Sequence, residues 1–353
     1  MQKPNPLKRG DKVAIVSLSS GMLGEKSCSH NLEIGIRRLK EFGLEPVFMP
    51  NALKGRDYLN RYPQKRAEDL KAAFLDPSIQ AIICAIGGND TYRLLPYLME
   101  DETFIQCVKQ NPKLFTGFSD TTINHFMFYK LGLQTFYGPA FITDLGEIAD
   151  EMLPYTKQTF ERYFVDYTTW KIKPSSFWYE ERTDFSKRAV GTNRMSHLEL
   201  HGYELLQGQD TFSGELLGGC LESMYKMLSK QKKTDEVEII ERYSIFPSCE
   251  QWQGKVMFLE TCEDQSAPAL VKEMLTTIER TGAFNKLKGV LIGKPQDERY
   301  YQEYKEIYLE VFGHYDFPVL YNVNFGHATP RIALPYGAKV LVKANEQTIE
   351  FMI

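Results

Sequence analysis

Ile79-Gln-Ala-Ile-Ile-Cys-Ala-Ile86 constrains the fold of this chain more than any other stretch: an apolar, largely β-branched run that passes straight into Gly87-Gly88-Asn89-Asp90. A strand this apolar must be covered on both faces, which is the condition of a parallel sheet flanked by helices. Its neighbours repeat the pattern. Lys12-Val-Ala-Ile-Val-Ser17 reads as a short buried strand ending in the loop Leu18-Ser-Ser-Gly21, and Glu45-Pro-Val-Phe-Met49 as a second strand. Leu114-Phe-Thr-Gly117 continues through Phe118-Ser119-Asp120 into a further helix. Helical spacing fills the gaps, with Leu32, Ile34, Ile36, Leu39 and Phe42 marking one helix, Ala67, Leu70, Ala73 and Phe74 a second, and residues 91–99 a third. Four βα steps predict an α/β fold with a parallel sheet and functional loops at the carboxyl ends of its strands.

The remainder divides the chain. At 353 residues it exceeds a typical domain of roughly 150 residues, so two domains are expected. We read 1–160 as the N-terminal α/β domain, 161–210 as a connection with flanking loops, and 211–353 as a C-terminal domain. The connection carries scattered aromatics and a glycine-rich crossing at 202–219. In the C-terminal part, strands are expected at 255–260, 288–293 and 319–323, a helix at about 268–281 and a closing strand pair near 338–353.

Composition narrows the function by exclusion. A net charge of −4 with dispersed basic residues is not the footprint of a nucleic-acid binder, and the KQKK run at 230–233 reads as a solvated loop. The six cysteines contain no C-x-x-C pair, which argues against a zinc site or a disulfide framework and for a reduced, cytoplasmic protein. Neither a signal peptide nor a membrane-spanning apolar run is visible, so no membrane partner is expected, and no metal or cofactor is implied.

Four features have the residue types of a hydrolase site. In Gly117-Phe-Ser-Asp120 a strand-turn-helix serine would project its hydroxyl above the sheet beside the N–H groups of a helix start, although Ser119 also suits a helix N-cap and the G-x-S-x-G elbow is incomplete, with Thr121 at the last position. Gly87-Gly88 could bring N–H groups close to an oxyanion or simply make a tight turn. Glu260 ends the apolar run Lys255-Val-Met-Phe-Leu-Glu260, where an acid could orient a histidine or merely meet solvent. His327 follows the strand Pro318-Val-Leu-Tyr-Asn322 in Asn322-Val-Asn-Phe-Gly-His327-Ala-Thr-Pro330, and is the histidine placed beside a glycine at a strand's end.

Taken together, GDKVAIVSLSS, the segment ending IICAIGGNDTYRLLPYL, GFSDTT, YGPA, GELLGG, FLET and NFGHATPRIALPYGAKV resemble the LD-carboxypeptidase family of serine peptidases along nearly the whole chain. This family includes muropeptide LD-carboxypeptidases and microcin C self-immunity peptidases. The resemblance implies a three-layer N-terminal domain, a smaller, swivelling, barrel-like C-terminal α/β domain, and a homodimer. It implies Ser119 as nucleophile, Glu260 as acid and His327 as base, with the backbone N–H of Gly88 and Asp120 as oxyanion donors. Glu222 and Glu263 are acidic neighbours that could be matched in place of Glu260. Where the family often has Asp after this Glu, the chain has Thr261.

On that resemblance the expected reaction is amide hydrolysis through an acyl-enzyme at a cleft between the domains. The length and the extended 160–215 region resemble the microcin-immunity branch, whose substrates are peptidyl or aminoacyl nucleotides. Gly87, Asn89 and Trp178 are candidate substrate contacts, Trp178 because its ring can stack on a base, with a core position as the alternative. Release of a terminal D-Ala from a murein tetrapeptide is the second reading, and a binding protein with a degenerate site the third.

Overall fold

The computed structural model describes residues 1–166, 168–230 and 234–352, so most of the KQKK run lies outside the described residues. The chain forms two units. One comprises Met1–Asp166 with Arg182–Arg194, and the other Tyr167–Glu181 with Met195–Ile353.

In the first unit, strands β1 (Lys12–Val16), β2 (Glu45–Phe48), β3 (Ile79–Cys84), β4 (Leu114–Gly117) and β5 (Phe136–Tyr137) are parallel and lie in the order β5-β4-β3-β1-β2. Every residue of β4, and all of β3 except Gln80, is buried, as an apolar run flanked by helices on both faces demands. The sequence order reverses between β1 and β3. The carboxyl ends of strands on either side of such a reversal are the usual place for a ligand site in this kind of sheet. The loops there are 17–21 and 85–90, which pack on each other, the Ser20 N–H donating to the Gly87 carbonyl at 3.2 Å, and the turn after β4 lies next to them.

The helices at Ser29–Glu41 and Pro63–Leu75 follow the expected spacing. The reading at 91–99 is modified: a 3-10 turn over Thr91–Leu94 precedes a short helix at Leu95–Met99, with Pro96 in its first turn. A helix at Glu102–Gln110 went unpredicted; the Asp101 side chain caps it by accepting the Phe104 N–H at 3.0 Å. Residues 182–194 are tied to this unit by two buried ion pairs, in which Arg182 Nε and Arg194 Nε each lie 2.7 Å from the Glu147 carboxylate.

Among the described residues, the second unit is built on a mixed sheet of eight strands. Its parallel centre is β10 (Thr211–Cys220), β11 (Lys255–Glu260), β12 (Gly289–Gly293) and β13 (Val319–Val323); earlier in the chain, β6 (Thr169–Ile172) and β9 (Glu204–Gln207) join the same sheet, while β7 (Phe177–Tyr179) and β8 (Ser196–Leu198) pair as a separate two-stranded sheet. The antiparallel strands Lys339–Lys343 and Thr348–Met352, then β6, continue the sheet beyond β10, and β9 closes the other edge against β13.

Two readings change here. The glycine-rich 202–219 stretch is not a crossing, because most of it forms β9 and the central strand β10. Its glycines mislead because they depress strand propensity, yet a side chain at Gly218 would lie 1.9 Å from the Phe258 carbonyl, so the close approach to β11 requires glycine there. Likewise, Thr169–Ile172 is a sheet strand with Trp170 buried against Phe351. Among the described residues no helix is long and apolar enough to cross a membrane.

Candidate active site

In the first unit the carboxyl end of β4 delivers Ser119. Its backbone is left-handed, with φ 66°, a conformation that costs a non-glycine residue roughly 1–2 kcal/mol. The Ser119 N–H donates to the Tyr137 hydroxyl at 3.1 Å, which helps hold the turn. Ser119 does not cap the following helix: the capping positions of the 3-10 turn Ser119–Thr121 and of the helix Thr122–Leu131 are Phe118 and Thr121, and neither makes a side-chain cap. Strain without a capping role is the pattern of a side chain aimed for another purpose.

The Gly87-Gly88 loop packs directly on this serine. A Cβ on Gly87 would lie 2.7 Å from Ser119 Cβ and 2.9 Å from its Oγ. Gly88 has φ 154°, and a Cβ there would meet Ser19 Oγ at 2.3 Å and the Ser20 nitrogen at 2.7 Å. Both glycines are therefore dictated by close approach.

Asp120, which the family resemblance singles out for its backbone N–H, also engages its side chain. Its Oδ2 accepts the Ser19 hydroxyl at 2.6 Å and the N–H groups of Asp90 and Thr91, each at 2.9 Å. The Asn89 N–H donates to Ser19 Oγ at 2.9 Å. One carboxylate thus staples the loops after β1, β3 and β4 together. Asp90 is held in turn by buried Arg66, whose Nη1 and Nη2 lie 2.7 and 3.0 Å from its two oxygens and which also donates to the carbonyls of Leu18 and Ser19. Burial alone would raise the Asp90 pKa, but the hydrogen bonds from Arg66 and Arg93 bring it below the ordinary value, so the carboxylate stays charged.

Removing one partner of such a buried pair typically costs about 3–5 kcal/mol. Arg66→Met should therefore destabilise the protein by about 3 kcal/mol, read as a fall in the midpoint of urea unfolding at unchanged slope. Asp90→Asn in the same chain should recover part of the loss.

Sequence reasoning passed over Ser19 and Arg66. The Ser-Ser-Gly loop was a visible signal for the first. A buried arginine inside an amphipathic helix has none.

In the second unit β11 ends in Glu260, which is 1 % exposed. Its Oε2 lies 2.8 Å from His327 Nδ1 and accepts the His327 backbone N–H at 3.1 Å. Glycines make room for this carboxylate, since a Cβ on Gly326, where φ is 85°, would lie 2.3 Å from Glu260 Cγ. The histidine loop is braced from behind by Arg331, which donates to the His327 carbonyl at 3.0 Å and to Thr329 Oγ1 at 3.2 Å.

The other two acids take different places. Glu222 is buried and accepts the Cys262 N–H and the Ser266 hydroxyl, each at 3.0 Å. Burial and then the Glu260 charge raise its pKa. Glu263, whose side chain is 64 % exposed, sits 2.9 Å from His327 Nε2. Burial would lower the His327 pKa, but Glu260 and Glu263 together raise it to about 10.

Among the described residues Cys220, Glu260 and His327 also present donor atoms within 4.8 Å of one another. Burial, reinforced by Glu260 and Glu222, keeps the Cys220 thiol protonated, and Glu260 is already committed to His327. The geometry is that of a hydrogen-bonded carboxylate–imidazole pair with a thiol beside it.

Trp178 is 8 % exposed. It lies in the β7–β8 hairpin with its ring stacked on His197 at 4.2 Å and 18°, and Lys294 Nζ is 5.2 Å from its centroid. In this structure the indole is engaged by protein groups.

Both units have relatives among known proteins. Residues 13–138 match the model of the LD-carboxypeptidase N-terminal domain, and 213–342 that of the LD-carboxypeptidase C-terminal domain. A crystal structure of an MccF-like protein from Streptococcus pneumoniae in complex with AMP is 46% identical, with a TM-score of 0.93 over 97% of this chain and 98% of that one. The chain belongs to the LD-carboxypeptidase family. It is therefore a member of a family of serine peptidases with a two-domain mixed α/β fold.

A probable murein peptide carboxypeptidase of Bacillus subtilis is 27% identical over 98% of this chain and 93% of its own length. The microcin self-immunity protein MccF of Escherichia coli is 24% identical over 98% and 94%. A structure of MccF in complex with aspartyl sulfamoyl adenosine, 21% identical over 99% of this chain and 98% of that one, shares the fold at a TM-score of 0.81.

Proposed function

We propose that this LD-carboxypeptidase family member is a serine peptidase in which Ser119, Glu260 and His327 form the catalytic triad, and that its substrates are aminoacyl or peptidyl nucleotides of the microcin C type. The observation that carries the chemistry is the bond of 2.8 Å between Glu260 and His327 Nδ1. A carboxylate on Nδ1 fixes the tautomer that leaves Nε2 to handle the proton of a serine. Support for the substrate class comes from the MccF-like protein in complex with AMP, at 46% identity.

In the proposed reaction His327 Nε2, once unprotonated, takes the Ser119 hydroxyl proton as Oγ bonds to the scissile carbonyl carbon. The backbone N–H groups of Gly88 and Asp120 receive the oxyanion. The imidazolium then protonates the departing nitrogen, the C–N bond breaks, and an ester to Ser119 remains. Water repeats the cycle and releases the acid. Since Ser119 belongs to one unit and the Glu260–His327 pair to the other, the reading requires the two units to bring them within hydrogen-bond reach. Gly87, Asn89 and Trp178 are proposed substrate contacts, which for Trp178 means that a base would replace His197 on its ring. A cytoplasmic homodimer completes the proposal, and sedimentation showing monomer alone would remove that part of it.

A second substrate reading rests on the 27% identity to the probable murein peptide carboxypeptidase: release of D-Ala from a murein tetrapeptide. A paired assay decides. Purified protein should hydrolyse aspartyl sulfamoyl adenosine and leave the tetrapeptide intact, whereas the reverse result would transfer the enzyme to murein turnover. Labelling of Ser119 by a fluorophosphonate separates both readings from a non-catalytic binding protein.

Gly88→Ala tests the oxyanion loop. Its Cβ would force the loop away from Ser19, and loss of one oxyanion donor costs about 10²–10³-fold in kcat. A kcat within a few-fold of wild type would remove Gly88 from the proposed oxyanion hole.

A further inference from the structure

The proton-accepting nitrogen of the proposed base is already occupied. His327 Nε2 faces a carboxylate oxygen of Glu263 at 2.9 Å while Nδ1 faces Glu260 at 2.8 Å. A carboxylate only accepts hydrogen bonds, so a ring held between two of them carries a proton on both nitrogens. An imidazolium in that state cannot take a proton from a serine. The two acids differ in kind, because the Glu260 side chain is fully buried and its partner Oε2 also accepts the His327 backbone N–H. Glu263 stands in the turn after β11, its side chain 64 % exposed. An ion pair with one partner open to water is much the weaker of the two and the one a substrate can displace.

We propose that Glu263 is a displaceable cap on His327 Nε2: it holds the base protonated at rest and leaves the ring when substrate occupies the site. The cap rests on the triad reading of Ser119, Glu260 and His327. Glu263 then acts as a positioning residue, setting the pH at which the histidine becomes a base. The charge states agree, with the His327 pKa raised to about 10 by the two acids against the effect of burial, and that of Glu263 lowered to about 2, first by its hydrogen bond to His327. Among the described residues of this unit, Cys220, Glu222 and Cys262 lie within electrostatic reach of the pair, Lys226 acts on Glu263, Asp264 follows it in the turn, and Arg331 donates to the His327 carbonyl.

A carboxylate on Nε2 stabilises the protonated ring, so Glu263→Gln lowers the histidine pKa and makes the base available at lower pH. Two readouts test this on the full chain: the imidazole nitrogen shifts of His327 in protein labelled with nitrogen-15 histidine, and the acid limb of kcat/KM for aspartyl sulfamoyl adenosine, which reports the free enzyme. In Glu263→Gln both midpoints should fall by at least about one pH unit, with Glu263→Asp lying between it and wild type. Midpoints that stay in place or rise overturn the cap. If the nitrogen-15 midpoint falls but His327→Ala hydrolyses substrate as fast as wild type, the Glu263–His327 ion pair is real but the triad reading fails, and the cap on the base is overturned with it.

Discussion

Ser119→Ala should lower kcat by about 10⁴-fold or more while leaving the protein folded, since removing the proposed triad nucleophile leaves only binding and oxyanion stabilisation. The loss should appear in kcat rather than KM, because the substrate's ground-state contacts remain. Ser119→Gly makes the test sharper. Its activity should fall equally, yet the left-handed backbone at φ 66° is natural for glycine, so the denaturation midpoint should rise, by about 1 kcal/mol of stability or a little less once the entropy of glycine is counted. A strained nucleophile predicts opposite movements of activity and stability. Had Ser119 been a helix cap, its loss would cost about 1 kcal/mol of stability and no activity. A Ser119→Ala protein with turnover within tenfold of wild type would eliminate the triad.

Replacing Glu260 by Gln should reduce kcat by about 10⁴-fold, the scale for exchanging the orienting acid of a triad for its amide. The amide is nearly isosteric, so the protein should fold, but it carries no charge to stabilise the imidazolium and can present its NH₂ to Nδ1, favouring the wrong tautomer. Truncation is a different experiment. Glu260→Ala strips the acceptor from both Nδ1 and the backbone N–H of His327, and losing one partner of a buried charge-assisted pair should cost about 3–5 kcal/mol, measurable by urea unfolding. Glu222→Gln is the control. Its carboxylate is held by Cys262 and Ser266, so kcat should stay within about tenfold of wild type if Glu260 is the acid, a change below about 1.4 kcal/mol in barrier. A collapse of activity in Glu222→Gln with little change in Glu260→Gln would reverse the assignment.

Both variants act on residues that the sequence already singled out, for a physical reason. Buried parallel strands advertise themselves as apolar runs, and the residues just past such a run stand at the sheet's carboxyl edge. That is how Ser119 after β4, Gly87-Gly88 after β3 and Glu260 at the end of β11 became visible. The same logic failed at β10, where glycines needed for close approach to β11 lowered the local strand signal. It failed also at Thr169–Ile172, an edge strand too short for a pattern. Trp178 was noticed for its stacking face, but that His197 shares this face depended on pairing β7 with β8.

The residues alone therefore determine the order of strands, loops and helices in the N-terminal half and the family to which the chain belongs. These depend on periodicity and local motif, both properties of contiguous sequence. Only the tertiary structure decided which carboxylate meets which nitrogen of His327, with Glu260 on Nδ1 and Glu263 on Nε2. It alone revealed that Asp120 reaches back 101 residues to Ser19 to bind three loops together. Hydrogen bonds of this kind are set by the register of parallel strands and by the narrow space that a glycine leaves open, and neither quantity is written in any short window of the chain.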